Sequence, residues 1–491
     1  MGKNKLLKWL LPCCIGLSIS SQALAHTVQE AVAHALKTGP DILISANSRE
    51  AIEEELREAF AGYLPTIDLN AGWGREKSEN SSTRIPGQTD GSRTLWRTEF
   101  GINARQMLFD GFAVKNDVEG NMARVRAASW RVNNDASEIA LDVITAFLEI
   151  NLEKELVHLA RQNLNAHQGT FGQIERRSES GIGRRADLDQ ATGRLAFART
   201  NLLAEQANLR DAETRFLRLV GIPPIELVQP ESPTVGFPET LRSAIALGVN
   251  YHPELRAAVT DVSVARAAHR AAKAPFYPRL DFELGFNRNH NIDGVTGDND
   301  DFFGMLRLRW NLFRGGADLA RTKATAWQIE EAKEVRNRAH RQVEESVRLA
   351  WSTYVTASSQ IHYFRQHVES SLSTRDAYEK QFNIGQRTLL DLLDSENELF
   401  TARTAYANGK HLEILGKFRV LQATGCLLDY LGVPLPRAAR IEEPTLFGFN
   451  YGKPAHYYDQ YNRTNYYSDA YYGAPTNTTY TVDEHHVDFG E

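Results

Sequence analysis

The sequence predicts a mixed α+β fold, mainly helical, in which long antiparallel coiled-coil hairpins carry four strands per chain. Three observations lead there. The chain is written twice, it holds four segments with period-two alternation, and each copy ends in a long proline-free stretch with helical spacing. Tyr63-Leu64-Pro65-Thr66-Ile67-Asp68 returns as Phe276-Tyr277-Pro278-Arg279-Leu280-Asp281, and Ala31 and Pro40 return as Ala244 and Pro253. Leu108-Phe109-Asp110-Gly111 returns as Leu312-Phe313-Arg314-Gly315, and Gly181 and Asp187 return as Gly385 and Asp391. Two long copies with nearly constant offsets describe one pseudo-symmetric body, with repeats over 26–230 and 231–436.

Residues 1–25 read as a signal peptide: Lys3, Lys5 and Lys8, an apolar run from Trp9 to Ile19, and Ala23-Leu24-Ala25 as the small-residue cleavage site. Removing it takes away three lysines, so the net charge falls from −6 to −9, which disfavours nucleic acid as a partner. It also removes Cys13 and Cys14, leaving Cys426 alone and excluding an internal disulfide. Beyond the leader no apolar window of about 18 residues exists, so any membrane passage must use β-strands.

Each repeat opens with a helical stretch, 28–62 and 240–274, that ends before Pro65 or Pro278. Two strands follow. Ile67, Leu69, Ala71 and Trp73 alternate with polar residues or glycine, as do Phe100, Ile102 and Ala104; Leu280, Phe282, Leu284 and Phe286 repeat the pattern, as do Leu306, Leu308, Trp310 and Leu312. One apolar and one polar face at this length suits a tilted membrane strand, and equally a half-buried soluble hairpin.

From Phe112 to Glu179 and from Gly316 to Ile384 the pattern predicts helices of roughly 100 Å at 1.5 Å rise per residue. Gly181 and Gly385 mark the tip turns, and second helices run back to about Val220 and Leu431. Residues 437–491, rich in tyrosine and without apolar periodicity, read as a largely disordered tail or an aromatic docking segment. Four strands cannot close a barrel, and lipid tolerates no open sheet edge, so a membranous reading requires a cyclic homo-oligomer.

The chain resembles the TolC-type outer-membrane factors of type I secretion and efflux in Gram-negative bacteria over about residues 27–435. Gly385-Gln386-Arg387-Thr388-Leu389-Leu390-Asp391-Leu392-Leu393-Asp394 looks like that family's tip motif. Phe276-Tyr277-Pro278-Arg279-Leu280, Leu312-Phe313-Arg314-Gly315-Gly316 and Gln106-Met107-Leu108-Phe109-Asp110-Gly111 are similar to its adhesin-exporting branch. The resemblance implies a homotrimer, with twelve strands in one transmembrane β-barrel and the helical hairpins forming an α-barrel through the periplasm. It also implies an inner-membrane ABC transporter, a periplasmic adaptor, contact with outer-membrane lipid and an exported protein substrate, with drug efflux as the alternative. A soluble periplasmic coiled-coil scaffold is the reading from a different class.

Asp391 and Asp394, three residues apart at a helix start, can share a face and form acidic rings at the periplasmic aperture; equally, aspartate there caps a helix. By resemblance Arg387 and Asp187 form a gate latch, although both suit solvated helix surfaces. Phe382 and Ala186 depart from the family's tyrosine and threonine, which removes two latch hydrogen bonds. Asn103, Arg105, Arg307 and Arg309 lie on the polar side of the strands, in a barrel lumen if the apolar side meets lipid. The sequence holds no P-loop, HExxH or GxSxG, and Gly181-Ile182-Gly183 lacks the strand a dinucleotide motif needs. His485-His486 among acids reads as a solvated tail end, so no enzyme, cofactor or metal is expected.

Overall fold

The computed structural model describes residues 27–84, 91–441, 445–446 and 449–450. The stretch read as a signal peptide, the His485-His486 pair and most of the tyrosine-rich tail lie outside them.

The first repeat runs α1 (Val28–Thr38), α2 (Pro40–Ala61), β1 (Thr66–Ser78), β2 (Arg93–Phe109), α3 (Ala113–Glu179) and α4 (Arg185–Val220). The second runs α5 (Leu241–Tyr251), α6 (Pro253–Ala271), β3 (Arg279–His290), β4 (Asp298–Arg309), α7 (Ala317–Asn383) and α8 (Leu389–Ala423), followed by the short α9 (Leu427–Leu431). The opening stretch of each repeat is thus two helices rather than one. Pro40 and Pro253 occupy the first turn of α2 and α6, where their missing N–H costs nothing but their rings forbid continuation from the preceding helix. Thr27 and Thr240 start α1 and α5 with reciprocal side-chain and backbone capping bonds.

The four strands form one antiparallel sheet in the order β1-β2-β3-β4, so β1 and β4 are its edges. Because side chains alternate, register assigns the faces. Ile67, Leu69 and Trp73 share one face with Ile102, Leu284 and Leu306, and each of these is exposed. Trp310 and Leu312, read from sequence as strand, lie beyond the end of β4.

Strand gives way to helix at matching joints. Gly111 has φ +72°, and a Cβ there would come within 2.5 Å of the Ala274 carbonyl oxygen, so only glycine fits. Gly315 and Gly316 hold the equivalent left-handed turn at φ +61° and +84°.

The main core lies where α1, α3, α4, α8 and α9 converge, with Phe147, Phe216 and Phe418 fully buried. A smaller core at the hairpin tips joins Ile174, Ala191, Phe382, Leu389, Leu392 and Leu393. The second repeat extends past its expected end at 436. Arg437–Ala439 form a 3₁₀ turn whose Ala438 and Ala439 are buried in the main core. Thr445–Leu446 and Phe449–Asn450 pair as β5 and β6.

Candidate functional site

Two regions concentrate polar side chains: the hairpin tips and the polar face of the sheet. At the tips, α3 passes to α4 through Gly181 (φ +73°) and α7 to α8 through Gly385 (φ +76°). Neither glycine has a neighbour within 4 Å of a built Cβ, so both turns project freely. Exposed Ile182 and Ile384 stand beside them.

Thr388 begins α8. Its hydroxyl accepts from the Asp391 backbone N–H at 3.2 Å, and its own backbone N–H donates to Asp391 Oδ2 at 3.2 Å. The Thr388 hydroxyl also donates to Asp391 Oδ2 at 2.8 Å. These bonds, with smaller help from Arg387, hold the Asp391 carboxyl below its usual range. Thr-x-x-Asp was legible in the sequence as a capping pattern. Asp394, one turn on, is claimed by a residue the sequence reading missed: Arg194 of α4 donates to its Oδ1 at 3.0 Å. No local motif announces Arg194, because its pairing depends on how the two hairpins pack.

Arg387 and Asp187 are not paired within one chain. Arg387 lies 4.2 Å over the Tyr378 ring, donates from Nε to Gln381 Oε1 at 3.0 Å, and reaches Asp391 at 3.9 Å. Asp187 is half-buried in the first turn of α4, and among the described residues it has no ion-pair partner. Phe382 does structural work: it is buried in the tip core, with Arg177 4.9 Å over its ring. Nearby, burial pushes the Glu396 carboxyl up despite Arg375, whose Nη1 lies 3.5 Å away. Burial, with Arg194 adding to it, pushes His167 down.

On the sheet, register places Arg105 opposite Glu283 and Arg307 opposite Asp281, on the face remote from the apolar residues. Arg307 donates to Glu283 at 2.7 Å, and Arg105 lies 3.3 Å from the same carboxylate. Arg309 bonds Glu283 at 3.0 Å and Asp281 at 2.9 Å, while Arg279 reaches Asp281 at 3.1 Å. Asn103 lies opposite Gly285 on that face. Asp281 is fully buried beneath its two arginines. Arg105, Arg307 and Arg309 were named from alternation, and Arg279 was not. Their saturation by two acids of one strand emerges only from strand pairing, and four guanidinium groups over two carboxylates leave a net positive patch.

Among the described residues no group of His, Cys, Asp and Glu side chains could hold a metal ion, and no helix is long and apolar enough to cross a membrane. A sheet whose outer face carries an exposed apolar band, with a charged inner face and two open edges, is the pattern of a barrel segment in lipid.

The family model described as outer membrane efflux protein matches residues 31–222 and 249–412. The outer membrane efflux protein BepC of Brucella suis biovar 1 is 24% identical over 413 residues, covering 84% of this chain and 88% of that protein. The alkaline protease secretion protein AprF of Pseudomonas aeruginosa is 25% identical over 434 residues, covering 84% and 86%. Among solved structures, CusC superposes with a TM-score of 0.71 at 17% identity, over 82% of this chain and 92% of that one. The match sets aside the soluble periplasmic scaffold and puts the sheet in the outer membrane, with the helical tunnel in the periplasm. A duplicated chain of this architecture, matched by that family model across most of its length, belongs to the outer membrane efflux protein family, the TolC-type channels.

Proposed function

We propose that the chain is the outer-membrane duct of a type I secretion system, assembled as a homotrimer whose twelve strands close one barrel. One observation carries this reading. The sheet has an apolar face exposed along all four strands and open edges at β1 and β4, so satisfying its backbone in lipid requires other copies. The helical hairpins of three chains then form the α-barrel, which meets a periplasmic adaptor and an inner-membrane ABC transporter that supplies the energy. Polypeptide passes unfolded through the bore. The likeness to a protease secretion protein supports protein cargo, and the strand motifs noted in the sequence support a large repeat-containing adhesin.

In this reading Asp391 and Asp394 ring the periplasmic aperture, and Asn103, Arg105, Arg307 and Arg309 line the barrel lumen. Asp187, without an ion-pair partner among the described residues, receives Arg387 from a neighbouring subunit, and the latch breaks when the tunnel dilates. The likeness to an efflux protein favours a second reading, the outer-membrane component of a drug pump.

The discriminating experiment deletes the gene in its native host. It measures cell-surface and secreted protein beside growth inhibition by a panel of drugs, and determines the detergent-corrected mass of the purified protein. Loss of one large surface protein with unchanged drug tolerance, and a mass near three chains, is the expected result. Drug hypersensitivity with intact secretion would replace the secretion reading with efflux. A detergent-free monomer would remove the duct altogether.

A further inference from the structure

The loops joining β1 to β2 and β3 to β4 lie at the end of the sheet remote from the long helices, so that end meets the outer leaflet. On the apolar face, the band that begins at Ile67 ends upward at Trp73, which stacks on Trp96 at 4.8 Å with an interplanar angle of 11°. Aromatic pairs at this height are the mark of a membrane–water boundary. One pleat further out, the same face becomes basic. Arg75 lies opposite Trp96, 6.0 Å over its ring, and Lys77 follows opposite Thr94. Both cations are exposed, and among the described residues neither has a carboxylate within 4.0 Å.

The other half of the sheet differs: on this face it ends at His290, level with Trp73 and one pleat short of Arg75. There Arg288 lies 3.9 Å from Asp300, and Asp298 meets the His290 ring nitrogen at 2.7 Å, so each basic side chain has an acidic partner. Those two acids are the ones the β4 edge presents on this face, and each already has a partner. Within the sheet's register both acids also fall one to three pleats short of Arg75 and Lys77.

We infer that Arg75, Lys77 and the Trp73–Trp96 pair form a binding site for the phosphorylated headgroup of an outer-leaflet glycolipid. The chemistry is complementary at each level. The stacked indoles lie along the boundary of the acyl chains, the guanidinium offers a planar donor fork for phosphate, and the ammonium adds a second charge one pleat above. This inference rests on the apolar face meeting lipid, as proposed above.

The test uses the full-length protein reconstituted in nanodiscs of zwitterionic phospholipid and doped with either diphosphorylated lipid A or its dephosphorylated form. Bound glycolipid is counted by native mass spectrometry after release from the disc. The unaltered protein is expected to retain the phosphorylated form, and Arg75→Glu with Lys77→Glu to lower its occupancy about tenfold or more. The dephosphorylated form should be retained weakly by both. Arg75→Gln with Lys77→Gln, a milder change, should give the same direction if charge reversal impairs assembly. Equal retention of the two lipids, or occupancy unchanged in both variants that insert normally, would overturn the headgroup site and leave the barrel reading intact. Failure of the unaltered protein to enter nanodiscs would overturn both. Loss of oligomer mass in the glutamine variant at unchanged lipid occupancy would assign the cations to the subunit seam instead.

Discussion

Arg194 of α4 holds Asp394 of α8 at 3.0 Å, tying the two helical hairpins together just above their tips. The acid proposed for the aperture ring is therefore partly neutralised by its own chain. Arg194→Ala should unmask it, deepening block by divalent cations in planar bilayers several-fold. Asp391→Ala with Asp394→Ala should weaken that block and raise monovalent-cation conductance. Block indifferent to all three substitutions would take these residues out of the conducting path.

Arg387 and Asp187 make no bond to each other within one chain, so any latch between them closes across subunits. Each alanine substitution should raise resting conductance, and the double variant should do no more than either single one, as expected for partners in one charge-assisted bond of about 1.5–3 kcal/mol. Strictly additive effects would show that the two act separately.

His252 caps α6, accepting the Glu254 backbone N–H at 3.3 Å, and burial pushes its pKa down to about 4. Between about 4 and the ordinary value of 6.5 the unfolded chain binds the extra proton and the folded chain does not. The histidine's contribution, up to about 3 kcal/mol, is therefore complete above pH 6.5 and lost as pH falls toward 4. Thermal melts of the solubilised protein should fall across that window. His252→Asn keeps a capping acceptor and should flatten this part of the profile. His167 and His411, also lowered by burial, act in the same direction, so the difference between variant and parent is the quantity to read.

Asp281 is fully buried and bonds Arg279 and Arg309. Asp281→Asn keeps the shape but removes the charge, adding one positive unit per chain to the polar face. Reversal potentials across a salt gradient should shift toward anions, and Arg307→Glu with Arg309→Glu should shift them toward cations. An unchanged reversal potential in both would mean that this face does not line the bore.

Much of the architecture was legible because it rests on local rules. Alternation located all four strands, and helical spacing bounded by the strands and the tip glycines located α3 and α7 to within a residue or two of their ends. The breaks at Pro40 and Pro253 were equally local and were overlooked, though both residues had been noticed as repeat markers. The burial of Ala438 and Ala439 was not legible, since a short segment without periodicity signals nothing until a core receives it.

The site divides along the same line. The sequence by itself determined which residues stand at turns, helix starts and polar strand faces, because glycine, proline, capping residues and side-chain period act over a few residues. It thereby named Gly181, Gly385, Asp391 and the strand arginines. Only the tertiary structure decided what those side chains touch. Arg194 meets Asp394 across 200 residues of chain, Arg309 meets Asp281 through strand register, and Arg387 turns to Tyr378 and Gln381 rather than to Asp187. A charge pair needs a few ångströms between atoms, and that distance is fixed by how helices and strands pack, which no local pattern in the chain records.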